Sequence, residues 1–379
     1  MDADALGAYA LYFTAAGLAG LLPQDLIHAP SSVAVLANEP RSRMTIVHRT
    51  MIRTMPISLV AAVISALPGI IVVSEVPLST LVALSITSFF LLLISPLQDF
   101  VRGMFHLSGT PMRAATTSGA QLLFVGMAIP SMVVADVPKA WIPIGSLAIA
   151  NYASTAIGLV LARGFNDPPL DLPPMGEILK SGRTLLPSDL LPEGSIFLSS
   201  AILAALASTA ALGQVTAARI VARPIIVLAM GLNRAFRPRM MEAGFNGSRS
   251  QVLHATYVVL IVMFATSALY TAIAGWSHPL NPMSSIVPIA YEAEGLAPFV
   301  LISTGLFTTI QMFRAIFIGA SQNGLLLIVT IFASAARVLV VLVLAAGIGV
   351  YALPTSNVVN GLIYFGLGFY FLRRILTNR

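Results

Sequence analysis

The sequence has no cysteine and very little charge: Asp, Glu, Lys and Arg together make up 9% of its 379 residues. The first absence excludes disulfides, thiolate metal sites and a cysteine nucleophile. The second excludes an ordinary soluble surface, which carries roughly 25% charged residues. The patterns GxxxxGK[ST], HExxH and GxSxG are also missing, so a nucleotide-binding P-loop, a zincin helix and a nucleophile elbow are not encoded. The five histidines, His28, His48, His106, His254 and His278, are dispersed. No catalytic set, metal or cofactor is expected from them. The N-terminus, Met1-Asp2-Ala3-Asp4, is acidic and does not read as a signal peptide.

What fills the chain is apolar: 57% hydrophobic residues and a mean hydropathy of +0.89. Apolar runs lie near 6–35, 52–74, 78–97, 115–135, 140–162, 187–207, 211–234, 252–275, 297–319, 324–350 and 355–375. A helix of about 20 residues crosses a hydrocarbon core about 30 Å thick. The runs do not alternate as barrel strands would, so the expected class is an all-α polytopic membrane protein with about eleven transmembrane helices.

The formal net charge of +6 follows membrane topology and not nucleic-acid binding. Basic residues fill alternate loops: Arg41, Arg43, Arg49 and Arg53; Arg102 and Arg113; Arg163, Lys180 and Arg183; Arg234, Arg237, Arg239 and Arg249; Arg314; and Arg373, Arg374 and Arg379. The intervening loops hold Lys139 with Glu75, Asp136, Glu292 and Glu294. The positive-inside rule then places the C-terminus in the cytoplasm and the N-terminus outside. The Asn246-Gly247-Ser248 sequon falls in a loop read as cytoplasmic and is discounted.

A polar, proline-rich connection near 163–186 contains Asp167-Pro168-Pro169 and Pro173-Pro174. It reads as a stiff, non-helical linker. The expected organisation is a first bundle over 1–165, a cytoplasmic linker over 166–186 and a second bundle over 187–379. Two patterns recur across that divide. Leu6-Gly7 opens the first span and Leu212-Gly213 the seventh, 206 residues on. Val101-Arg102-Gly103-Met104-Phe105 ends the third, and Phe313-Arg314-Ala315-Ile316-Phe317 the ninth, with the arginines 212 apart. Each is short, and Arg-x-x-Phe is also what a helix end with a snorkelling arginine looks like. Together they indicate a parallel pseudo-two-fold repeat. With 187–207 assigned to the second bundle the plan is five plus six helices, as though the first helix of a six-plus-six plan were missing.

Charges inside the spans are the candidate functional groups. Arg219 and Arg223 are four apart in the seventh span, and Arg337 lies in the middle of the tenth. Facing lipid, three arginines would cost on the order of 8–10 kcal/mol. They are expected to face a wet cavity, where guanidinium suits an anion such as phosphate, or to pair with Asp25, Asp189 or Glu193. Asp25, between Gln24 and His28, is either an ion- or proton-coupling acid or a counter-ion. Asp189 and Glu193 are read at the cytoplasmic start of the sixth span, where they would complement the helix dipole. Arg102 and Arg314, with these acids, mark an expected cytoplasmic mouth.

The stretch Leu212-Gly213-Gln214-Val215-Thr216-Ala217-Ala218-Arg219-Ile220, continuing through Pro224 to Phe236-Arg237-Pro238, resembles Wzx-type polysaccharide (O-antigen) flippases of the multidrug/oligosaccharidyl-lipid/polysaccharide exporter superfamily. So do Leu6-Gly7-Ala8-Tyr9-Ala10-Leu11 and Asp99-Phe100-Val101-Arg102-Gly103-Met104-Phe105. The resemblance is diffuse but extends along nearly the whole chain. It implies two six-helix lobes, residence in the bacterial inner membrane, and alternating-access transfer of polyprenyl-diphosphate-linked oligosaccharide to the outer leaflet. In that role Arg219, Arg223 and Arg337 would receive the anionic diphosphate-sugar. Expected partners are this lipid-linked substrate, membrane lipids and other polysaccharide-assembly proteins, with no nucleic acid. A cation-coupled multidrug exporter of the same superfamily is the alternative, with Asp25 as its coupling acid. A membrane-embedded glycan polymerase is a third reading and would have to rely on Glu292 and Glu294.

Overall fold

The computed structural model describes residues 2–35, 38–68, 76–165, 168, 170–229, 240, 244, 249–274, 295–320 and 322–377. Among these residues the chain is helical, with no strand. Arg234, Arg237, Arg239, Glu75, Glu292, Glu294, Asp167 and the sequon lie outside them.

The chain opens with α1 (Ala3–Pro23), a π-helical turn (Gln24–His28) and α2 (Ala29–Ala34). A 3-10 turn (Ser42–Ile46) leads into α3 (Val47–Ala66). There follow α4 (Leu78–Leu107), α5 (Pro111–Val134), α6 (Ile142–Ala162) and α7 (Met175–Leu206). Then come α8 (Thr209–Val221) and, after a 58° bend, α9 (Arg223–Ala229). The last four are α10 (Arg249–Ala274), α11 (Leu296–Gly319), α12 (Asn323–Ile348) and α13 (Ala352–Thr377).

Seven of these helical stretches are long and apolar enough to cross a membrane, or eight with the bent α8–α9 pair counted as one span. Eleven spans are expected from sequence; the count of seven or eight is made over the described residues alone, by length and composition. α12 and α13 run together as one apolar stretch, Gly324–Arg374, joined by a short 3-10 turn. α3 carries His48, Arg49 and Arg53 in its first turns, which lowers its hydropathy. The chain is an integral membrane protein built of two helical bundles.

Contacts divide the chain into two compact units: Ala8–Phe197 with Met1, and Leu198–Arg379 with Asp2–Gly7. α7 therefore belongs, over most of its length, to the first unit. The expected five-plus-six grouping counted the apolar part of this helix, 187–207, with the second bundle. Residues 175–186 are also helical, where a stiff linker was expected. Pro173 and Pro174 precede the helix, where a missing N–H costs nothing, and the chain then turns helical at Met175.

In the first unit, α4 runs ten residues past the expected end near 97. Nothing breaks it before Gly109, whose φ of +72° suits glycine alone. Its polar-flanked end buries Phe100, Val101, Met104 and Phe105 against Met44, Ile46, Val47, Ala114 and Ala162. Burying each such side chain stabilises by about 1.5–3 kcal/mol. The residues between α6 and α7 are held as a strap on α3. Arg53 donates to Pro173 O at 2.8 Å and Arg49 to Leu170 O at 3.3 Å, while Leu170 N donates to Thr45 Oγ1 at 3.1 Å. In the second unit α13 packs against α11 and α12.

Candidate functional site

Each unit holds a buried polar constellation, made by side chains that share a face within an apolar helix. In the first unit the anchor is the π-turn. Proline at 23 cannot donate to its own helix, and the chain answers by widening into an i→i+5 turn over Gln24–His28. That turn points Asp25 and His28 inward; they are 3% and 5% exposed. His28 Nε2 lies 3.1 Å from Thr54 Oγ1, whose own hydroxyl donates to Thr50 O at 2.7 Å. Nε2 is then the donor, and the tautomer is fixed by α3. The His28 ring stacks on Phe100 at 4.6 Å. From the other side α7 closes on the turn through Gly182, where a Cβ would sit 2.5 Å from Leu26 Cα and 2.6 Å from Asp25 O.

A second polar feature of the first unit joins α4, α5 and α6. Gln98 Nε2 donates to Gln121 Oε1 at 3.3 Å, Gln121 Nε2 to Asn151 Oδ1 at 2.6 Å, and Asn151 Nδ2 to Ser95 Oγ at 3.0 Å. All donors point one way along the chain. In hydrocarbon such bonds replace the water that a soluble protein would use.

The second unit holds an antiparallel polar seam between α12 and α13. Arg337 donates to Asn357 Oδ1. One turn away Asn360 Nδ2 donates to Ala333 O at 2.9 Å. A further turn on, Tyr364 and Thr330 are both buried on this seam. Thr330, Ser334 and Arg337 repeat at four and three residues; Asn357, Asn360 and Tyr364 repeat at three and four. Each set is one helix face, and all six residues are buried. Arg337 is only 2% exposed.

The other sequence candidates are placed as follows. Arg219 is half-buried in the last turn of α8, and Arg223 is exposed at the start of α9. The 58° bend falls between them, so they do not share the continuous helix face expected of a single span. The cause is Pro224, which cannot donate to the preceding turn. Arg102 is half-buried and ion-paired with the exposed Asp99, one turn back on α4. Asp189 is half-buried and Glu193 exposed, and both lie well inside α7, which begins at Met175. The expected complement to a helix N-terminus therefore falls to Glu177 instead. Among the described residues no three His, Asp or Glu side chains come together as a metal set.

The residues that sequence reasoning passed over are His28's partner Thr54, the Gln98–Gln121–Asn151 chain, and Asn357, Asn360 and Tyr364. Their signal was there to read: polar residues at helical spacing within otherwise apolar spans.

No protein-family model matches the sequence, and no curated protein matches it. Solved structures do match, over the whole chain. An inward-facing multidrug-resistance MATE family transporter of the MOP superfamily is similar at 15% identity and a TM-score of 0.77, with 100% of this chain and 91% of that one covered. An outward-facing MATE family transporter is similar at 16% identity and a TM-score of 0.66, covering 98% and 88%. A MOP superfamily transporter from Pyrococcus furiosus, described as having a binding pocket of reversed polarity, is similar at 15% identity and a TM-score of 0.65, covering 98% and 91%. At these identities the shared property is the fold: two repeated helical bundles of the MATE type.

Proposed function

We propose that the protein is an ion-coupled exporter of small organic molecules working by alternating access, and not an enzyme. The observation that carries this reading is the match of the entire chain to MATE transporters solved in both inward- and outward-facing states. The coupling group is Asp25, an acid buried in the widened turn of the first helix beside His28. An ionised carboxylate at membrane depth costs about 2.5–3.5 kcal/mol on insertion scales. Protonation or a bound cation offsets that cost, so occupancy of Asp25 changes the energy of the π-turn and biases the conformation of its helix. On the proposed topology the protein resides in the plasma membrane of a bacterium, with the N-terminus outside and the C-terminus in the cytoplasm. The test is drug efflux from cells expressing the protein. Asp25→Asn is expected to abolish gradient-dependent efflux while leaving expression and membrane insertion intact. Unchanged efflux in that variant overturns the assignment.

A second reading, the flipping of an anionic lipid-linked oligosaccharide, is favoured by the charge of the second half. From Leu198 onward the sequence has eleven arginines, no lysine and three acids, Glu242, Glu292 and Glu294, none of them among the described residues. Arg337 is held on a neutral amide in the bundle interior. The similar Pyrococcus furiosus transporter, whose binding pocket is described as reversed in polarity with a different function suggested, supports keeping this reading. On this reading, deletion of the gene makes a polyprenyl-diphosphate-linked oligosaccharide accumulate on the cytoplasmic face. The wild-type gene relieves the accumulation, and a form with Arg219 and Arg223 replaced by alanine does not. No accumulation on deletion leaves the drug-export reading alone.

A further inference from the structure

The offset of 206 that relates Gly7 to Gly213 also relates Asn151 to Asn357. These asparagines lie on α6 and α13, which follow the pair α5 and α12 in their units. One turn on, Ser154 and Asn360 are again 206 apart, and all four side chains are buried. In both units the asparagine carbonyl accepts from a side chain of the preceding helix. In the first unit the donor is Gln121, whose Nε2 lies 2.6 Å from Asn151 Oδ1. In the second it is Arg337, which donates to Asn357 Oδ1. One polar contact is thus built twice, neutral in the first copy and carrying a full positive charge in the second.

The second copy differs at a further position. The counterpart of Asp25 is Gly231, and the sequence has no acid between Glu193 and Glu242. The second copy therefore lacks the ionisable acid of the first and has a fixed cation that the first lacks. A Cα–Cβ bond tilts toward the helix N-terminus, so the Arg337 side chain leans over the turn of Ala333 and Ser334. That is the level at which Asn360 docks on Ala333 O. The polar groups that α12 and α13 bring to this level are neutral: the amides of Asn357 and Asn360 and the hydroxyl of Ser334, all buried. Amide and hydroxyl oxygens are the groups that hold a hard cation. A guanidinium at membrane depth is costly and stays charged. A dissolved ion can leave such oxygens, whereas a guanidinium tethered to its own helix cannot.

We propose that Asn357, with Asn360 and Ser334, forms a monovalent-cation site inside the second unit, and that Arg337 occupies it permanently. The guanidinium is a built-in cation. It ties α12 to α13 as a bound ion would, and it keeps sodium and other small cations out. The second unit then needs no ion from solution. One consequence rests on the export reading: ion coupling is confined to the first unit, at Asp25.

The test is to vacate the site. Arg337→Ala removes the tethered cation, and an Asp25→Asn background removes the acid of the first unit, so that a cation response belongs to the second. Melting of the purified full-length protein in detergent is followed in methylguanidinium, sodium or choline chloride at equal concentration. Asp25→Asn alone is expected to melt at one temperature in all three salts. With Arg337→Ala added, methylguanidinium, and sodium more weakly, is expected to raise the melting temperature above that in choline. The shift is roughly 2–4 °C for a ligand at about ten times its dissociation constant. Asn357→Leu, added as a third substitution, abolishes the response. No response in the Arg337→Ala protein overturns the site, as does a response that survives Asn357→Leu. If Arg337→Ala does not fold, Arg337→Lys and Arg337→Met decide. Lysine keeps the charge and methionine only the bulk, so the lysine variant retains the larger share of substrate flux. Methionine matching or exceeding lysine overturns the built-in cation. An absence of flux in the parent protein counts against the export reading, and the melting comparison still decides the site.

Discussion

Replacing Asn357 with leucine removes the amide oxygen that accepts from Arg337 in the interior of the second unit. The guanidinium stays behind, 2% exposed, with one fewer acceptor. A hydrogen bond to a charged group contributes about 1.5–3 kcal/mol. Interhelical polar bonds in membranes average nearer 0.6 kcal/mol, because the separated helices find other partners. The expected loss is therefore about 1–3 kcal/mol, at the upper end if Arg337 cannot move to water. Arg337→Met alone removes both the charge and its desolvation cost, so it is milder than the loss of its acceptor. The double variant Arg337→Met/Asn357→Leu recovers most of what Asn357→Leu loses. Unfolding in detergent micelles, followed by thermal or denaturant titration, gives all four corners of the cycle. A coupling energy above about 1 kcal/mol supports the seam. Additive effects within about 0.5 kcal/mol refute it, because independent residues behave that way.

Two more expectations follow from the first unit. Gly182→Ala drives a methyl to within 2.5 Å of Leu26 Cα and should destabilise by about 1–3 kcal/mol through displacement of α7 from the π-turn; a melting temperature equal to that of the parent would contradict the packing. Gln121→Leu breaks two links of the amide chain and should cost about 1 kcal/mol in the same unfolding assay, whereas Gln121→Glu, which keeps an acceptor for Gln98, should disturb the Gln98 side less than the Asn151 side.

Much of the fold is legible from the sequence because the bilayer permits so few solutions. Apolar runs bounded by arginines and prolines mark α1, α4, α5, α6, α10, α11, α12 and α13 to within a few residues, α4 at its C-terminal end excepted. Legibility fails where tertiary contact outweighs local composition. Residues 175–186 look like linker because they continue a polar stretch that contains Pro168-Pro169 and Pro173-Pro174, yet they are helical, and Gly182 is the residue that lets α7 approach Leu26. Ala222 and Pro224 end one helical segment and begin another, so Arg219 and Arg223 part company despite their spacing of four. Spacing alone also misplaces Asp189 and Glu193, which look like the opening of a span and lie well inside a longer helix. The repeat behaves differently: a two-residue echo, Leu-Gly at 6 and 212, carries the same offset of 206 that relates Asn151 to Asn357. Asn357, Asn360 and Tyr364 lie on one face in plain view. Their meaning depends on α12 presenting Thr330, Ala333 O and Arg337 in matching register, which one helix's sequence cannot reveal.

The most direct test of the central proposal is gradient-driven uptake of a cationic fluorescent drug into liposomes containing the purified protein, compared with the same protein carrying Asp25→Asn. Export by an ion-coupled mechanism predicts uptake that requires an imposed proton or sodium gradient and is lost in Asp25→Asn, with the variant still folded by its melting profile. Uptake that ignores the gradient, or that survives the loss of the Asp25 carboxylate, contradicts it.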